Sequence, residues 1–174
     1  LLADHDVWIT DWVDARDIPI ALGPFHFDDY VQYVRDFIAF VGDCHSISVC
    51  QPTVPVLAAV ALMAADGERI PKTLTMMGGP IDTRRSPTAV NNFATYRPLS
   101  WFEAKVIQRV PMRYPGFLRR VYPGFLQFAG FVAMNPDRHI DSHVQYYHQL
   151  VKNDGESAEA HRRFYDEYNA VMDL

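Results

Sequence analysis

Between Ser46 and Pro55 the chain changes its period within a few residues, and few folds allow that. Ile47 and Val49 alternate with Ser46 and Ser48 in the two-residue rhythm of a strand. Directly after Cys50, Pro52 fits the first turn of a helix, where its missing N–H costs nothing, and an Ala-rich run follows. The spacing predicts a strand up to Cys50 and a helix from about Pro52 to Asp66 that stops at Gly67. Cys50 falls on the junction. At a helix start the unpaired N–H groups and the dipole favour an anion, and the same N–H groups can hold an oxyanion.

A nucleophile on a sharp strand-to-helix turn is the elbow of α/β-hydrolases, usually written Gly-x-Ser-x-Gly. Here the frame reads Ser48-Val49-Cys50-Gln51-Pro52. Cysteine replaces serine, and Ser48 and Pro52 stand in place of both glycines. Glycine serves at those positions because strand and helix pack closely around a strained residue, so each replacement departs from the motif. A buried free cysteine beside a helix cap is the other reading of the same residues.

The 174 residues suffice for one domain with a real core, or for a domain with a small appendage. A hydrophobic fraction of 49% and a charged fraction of 21% are ordinary for a soluble globular protein, and a net charge of −5 gives no support for a nucleic-acid partner. Cys44 and Cys50 are too few for a disulfide scaffold and badly spaced for zinc, which fits a reducing, cytoplasmic setting. The longest apolar run, Val54 to Ala65, contains Pro55 and is too short to span a bilayer, and no signal peptide opens the sequence. The chain lacks an initiator Met and ends in a helical pattern at Leu174, so an internal fragment is expected.

Along the chain, Val7-Trp8-Ile9-Thr10 reads as a short strand and Asp11 to Pro24 as a loop. Asp28 is the expected cap of a helix in which Tyr30, Val31, Val34, Phe37, Ile38 and Val41 recur at helical spacing until Gly42. The Cys50 strand, the Ala-rich helix and a third strand from about Lys72 to Met77 follow. The order β, α, β, α, β implies a parallel sheet, whose chemistry collects at the carboxyl ends of its strands. Cys50, Asp11 and Asp82 are placed there. From Thr83 onward the patterns turn helical, broken by Pro87, Pro98, Pro111, Pro115, Pro123 and Pro136. A pentapeptide recurs, Tyr114-Pro115-Gly116-Phe117-Leu118 and Tyr122-Pro123-Gly124-Phe125-Leu126, too few copies for a solenoid. The fold expected is α/β, the central part of an α/β-hydrolase core with its nucleophile elbow over residues 1–82 and a mainly helical cap over residues 83–174.

A cysteine nucleophile needs a base and a group that orients the base. The histidines after Cys50 are His139, His143, His148 and His161, all in helical patterns of the expected cap and none in a strand-to-helix loop, so they read as structural or solvated. His139 and His143 have the i, i+4 spacing of a metal pair, but no Glu stands between them and no metal is assigned. Asp82 reads either as the acid or, preferably, as a loop carboxylate bonded to its own backbone or to Arg84 or Arg85. Cys44 and His45 read as strand-entry residues. The aromatic stretch Tyr114 to Phe131 reads as cap core, or as a face for a hydrophobic polymer.

The run Val49-Cys50-Gln51-Pro52-Thr53-Val54-Pro55-Val56-Leu57-Ala58 resembles the intracellular poly(3-hydroxybutyrate) depolymerases. So do Met76-Met77-Gly78-Gly79-Pro80-Ile81-Asp82-Thr83-Arg84, Met134-Asn135-Pro136-Asp137-Arg138-His139, and the stretch from Phe164 to Leu174. The resemblance implies an α/β-hydrolase with Cys50 as nucleophile in a Cys-Gln-Pro elbow and the Gln51 backbone N–H in the oxyanion hole. It implies thioester-forming hydrolysis of polyhydroxybutyrate on cytoplasmic granules, without metal or organic cofactor. It places the acid and histidine beyond Leu174, so that these residues alone are expected to be catalytically silent. Two alternatives are a synthase-like acyltransferase, whose elbow keeps both glycines, and a non-catalytic granule-binding protein. A homo-oligomer is left open.

Overall fold

The first helix begins where the His26 backbone N–H donates to the Asp29 carboxylate at 2.7 Å. The cap of α1 (Phe27–Val41) is therefore His26 and not Asp28, which lies in the first turn. The computed structural model describes residues 3–85 and 87–172, and the chain divides into one unit of residues 24–91 and another of residues 1–23 with 92–174.

In the unit of residues 24–91, Val31, Val34 and Ile38 form the buried stripe of α1 and pack with Ala59 and Met63 of α2 (Thr53–Ala65), joined by Tyr30 and Val56. The expected stop of α2 is a Schellman turn: Gly67 takes φ +71°, its N–H donates to Ala64, and Glu68 N–H reaches back to the Met63 carbonyl at 2.8 Å. Two strands, β1 (His45–Val49) and β2 (Thr73–Met77), pair in parallel from His45 opposite Thr73 to Val49 opposite Met77. Lys72, expected as the first strand residue, lies just outside β2, and its N–H donates to the Cys44 carbonyl at 2.8 Å. Arg35, late in α1, pairs with Asp66 and Glu68 just past the end of α2, so both helices run back against the strands.

The alternation that predicted β1 is present with an unexpected polarity. Ser48, at 4% exposure, is on the covered face, whereas Ile47 and Val49 are 56% and 55% exposed. A small side chain fits where the elbow motif uses glycine, under a closely packed helix layer. Among the described residues the parallel sheet has two strands, so the wider sheet of an α/β-hydrolase is not seen. Residues 7–10 form no strand, which removes the first member of the expected β, α, β, α, β order, and Asp11 stands in irregular chain rather than at a strand end. Apolar residues become a strand only where a second strand takes their backbone groups, and Trp8 and Ile9 are instead 66% and 86% exposed.

The other unit is mainly helical: α3 (Ala89–Thr95) leads into it, followed by α4 (Leu99–Lys105), α5 (Gly124–Met134), α6 (Pro136–Val151) and α7 (Gly155–Met172). Between α4 and α5 lies an antiparallel ladder of β3 (Gln108–Arg109) with β4 (Arg120–Val121), too short for an alternation to announce it. The repeated pentapeptide takes two conformations. In the first copy Gly116 donates its N–H to the Arg16 carbonyl at 2.6 Å, with no room for a Cβ, and Leu118 is forced to φ +71°. In the second copy Pro123 caps α5, and its carbonyl accepts from Leu126 and Gln127.

Arg119 holds residues 18–23 to this ladder. Its guanidinium donates to the carbonyls of Ile18 at 3.0 Å, Gly23 at 2.9 Å and Pro19 at 2.8 Å. Three charge-assisted bonds from one rigid fork are beyond the reach of lysine. Arg119→Ala should cost about 2–4 kcal/mol, and Arg119→Lys should recover less than half of it, measured by urea unfolding.

Candidate active site at the strand-to-helix turn

Cys50 is solvent-exposed and sits at φ +63°, in the left-handed region where a side chain costs roughly 1–2 kcal/mol. The strain follows from the path: the chain leaves β1 at Val49 and must enter α2 by Thr53. Hydrogen bonds on both sides hold the turn. The Cys50 N–H donates to the Met77 carbonyl at 2.8 Å, and the Cys50 carbonyl accepts from the Thr53 N–H at 3.1 Å and the Thr53 hydroxyl at 2.8 Å. Gln51 follows in the turn just before α2, exposed, and no described residue accepts its backbone N–H.

The sequence reading missed Thr53 and Gly79. Thr53 has 0% exposure, and the backbone of Gly79 lies so close that a Cβ there would overlap the Thr53 side chain. Gly78, at φ +60°, turns the chain out of β2 toward this contact. Two glycines directly after a predicted strand were the available signal, since close backbone approach is one of the few reasons for glycine there.

His45 is at the opposite end of β1, about 16 Å away at ~3.3 Å per residue, with Nδ1 at 2.8 Å from the Thr73 hydroxyl. Cys44 is half-buried before β1. His26 is at the same end of the unit as Cys50, because α1 runs against the strands, and it serves there as the α1 cap residue. Asp82 accepts from Arg84 through the backbone N–H at 3.1 Å, Nε at 2.8 Å and Nη2 at 3.0 Å. The Arg84 side chain, with its backbone N–H second, holds the Asp82 carboxyl below the usual range, as the preferred loop-carboxylate reading expected.

His139, His143 and His148 are on α6 and His161 is on α7, all in the unit of residues 1–23 and 92–174. His143 Nδ1 lies 2.9 Å from the His139 carbonyl, which can only accept, so this nitrogen carries the proton. Among the described residues no group of three or more His, Cys, Asp or Glu is placed to hold a metal. His161 stacks on Tyr146 with centroids 4.6 Å apart and meets the edge of His143 at 5.4 Å. Burial pushes the His161 imidazole down, and the nearby His143 adds to the shift. A depressed folded pKa contributes stability above the unfolded value of about 6.5 that is lost as pH falls through the folded value. The urea midpoint should therefore drop between pH 7.5 and pH 5. His161→Phe, which keeps a ring against Tyr146, should reduce that drop; an unchanged drop would exonerate His161.

The model of a family described as PHB de-polymerase C-terminus matches residues 78–174, more than half of the chain. The chain belongs to that family. Its place in polyhydroxybutyrate depolymerisation follows at the level of the family, as does the class of hydrolase. The PHB de-polymerase match includes Gly79, Asp82 and all of α3 to α7, and it leaves β1, Cys50 and α2 outside. No curated protein and no solved structure matches this family member. Among its described residues no helix is long and apolar enough to cross a membrane.

Proposed function

We propose that this PHB de-polymerase family member cleaves ester bonds of polyhydroxybutyrate with Cys50 as the nucleophile of an α/β-hydrolase. The observation that carries the reading is the exposed Cys50 at φ +63° between a strand and a helix, beside the Gln51 N–H, which no described residue accepts. In this reading residues 1–82 supply the nucleophile and residues 83–174 the helical lid. The Cys50 thiolate adds to an ester carbonyl carbon, and the oxyanion accepts from Gln51 N–H. The C–O bond breaks, the alkoxide takes up the proton that the thiol had given to the base and leaves as a hydroxyl chain end, and a thioester remains. Water then adds to the thioester, releasing a carboxylate chain end and restoring the thiol. Thr53 and Gly79 are positioning residues, since they hold the turn without touching the ester. The base and the acid that orients it are assigned to no residue of this chain. The working place is the surface of amorphous polymer granules.

One observation favours a second reading, a non-catalytic granule-binding protein: the family match covers residues 78–174 and omits Cys50. Hydroxybutyrate release from amorphous granules by the longest reading frame containing this sequence, beside its Cys50→Ala variant, separates the two. Release that vanishes in the variant supports the thiol mechanism. Granule binding without release from either protein supports the second reading.

A further inference from the structure

Charge is spread unevenly along this chain. Residues 92–136 hold six of its 16 Lys and Arg and only one of its 21 Asp and Glu, although the whole carries −5. The β3–β4 hairpin collects four of those six cations, Arg109, Arg113, Arg119 and Arg120. Arg119 is committed to the carbonyls of residues 18–23, and the other three are exposed. Arg109 stands directly opposite Arg120, so both side chains leave the same face of the ladder. Like charges placed in this way oppose strand pairing, which makes them a poor choice for the fold alone. Glu103 answers Arg120 at 2.9 Å, and Asp14 is taken by Arg16 at 2.8 Å. Among the described residues no carboxylate pairs with Arg109 or Arg113.

The loop between the two strands adds exposed apolar side chains to this charge: Met112 at 79%, Leu118 at 42% and Phe117 at 39%. The backbone beneath them is pinned, since buried Val110 donates to the Arg119 carbonyl and accepts from Leu118, and Gly116 N–H donates to Arg16. Arg113 lies over the Tyr114 ring, 4.8 Å from its centroid. Guanidinium groups, an aromatic ring and a protruding apolar tip together match the boundary of an anionic lipid layer, where phosphates lie just above acyl carbons. A nucleic acid offers Met112 and Leu118 no apolar layer, and a protein partner takes roughly 20–30 residues from each side, more than this loop presents. We propose that the β3–β4 hairpin is a docking site for an anionic lipid surface, with Arg109, Arg113 and Arg120 on the phosphates and Met112, Phe117 and Leu118 among the upper acyl carbons. Docking of this kind is independent of the chemistry at Cys50, so either can fail without the other.

Flotation of the 174-residue chain with vesicles of phosphatidylglycerol and phosphatidylcholine in equal parts, beside vesicles of phosphatidylcholine alone, tests the site. The chain should float with the anionic vesicles at low salt, and stay below with the neutral ones or at high salt. Arg113→Gln should weaken partitioning about fivefold, the effect of one cation near such a surface, whereas Arg113→Lys should keep it within about twofold. Met112→Ser leaves the charge unchanged and should still weaken partitioning about threefold or more. Arg138→Gln removes the same charge from α6 and should leave partitioning as it was. Circular dichroism verifies that each variant is folded, and the exposure of Met112 makes its loss harmless to the core. Failure of the parent to float with anionic vesicles, or equal flotation with neutral ones, overturns the proposal. So does partitioning that survives both Arg113→Gln and Met112→Ser, or that falls as far with Arg138→Gln as with Arg113→Gln. Retention by single-stranded RNA that is tighter than by the vesicles and depends on Arg113 also overturns it, because the hairpin is then a polyanion site.

Discussion

Gly79→Ala should destabilise the unit of residues 24–91 by about 3 kcal/mol, the upper end of what one inserted methyl costs in a packed site. The added Cβ would meet the hydroxyl, Cβ and methyl of Thr53 together. Thr53 has little room to retreat, since it has 0% exposure and its hydroxyl and N–H are both committed to the Cys50 carbonyl. The strain should therefore pass directly into the turn that sets φ at Cys50. Thr53→Ala removes two of the three clashing atoms, so the double variant should be more stable than the sum of the two single losses predicts. Urea unfolding of the four proteins measures this coupling. Strict additivity would mean that Gly79 is held by something other than Thr53.

Replacing Cys50 by glycine should oppose stability to activity. Alanine at position 50 keeps the left-handed strain and glycine relieves it, so Cys50→Gly should be about 1 kcal/mol more stable than Cys50→Ala, after allowing for the freedom glycine gains on unfolding. Both variants should lower hydroxybutyrate release by the longest reading frame at least roughly a thousandfold, as loss of a covalent nucleophile does. Equal stability of the two would mean that the turn relaxes when the thiol is removed. Release from either variant would assign the chemistry to another group.

The residues that proved easiest to read carry local signals. The stripe of Val31, Val34 and Ile38, the strand-to-helix switch around Cys50 and the stop at Gly67 each depend on neighbours a few positions away. What was illegible depends on distant partners. Residues 7–10 have strand-forming side chains but no strand, and the polarity of β1, with Ser48 covered and Ile47 open, is set by the helices that pack on it. The repeated pentapeptide makes the same point within one chain. Its first copy is fixed as a loop by the carbonyl of Arg16, and the second, without that acceptor, opens α5. At the candidate site, Cys50 announced itself through the residues around it. Thr53 looked like an ordinary helix residue until the approach of Gly79 was visible.

The bonds from Arg119 back to residues 18–23 also bear on the order in which the protein assembles during synthesis. Residues 24–91 are contiguous and can close their core once they have left the ribosome, whereas residues 1–23 must wait until Arg119 has been made, about a hundred positions later. A nascent chain halted between these points would hold the Cys50 turn already formed, while residues 1–23 still wait for the rest of their own unit.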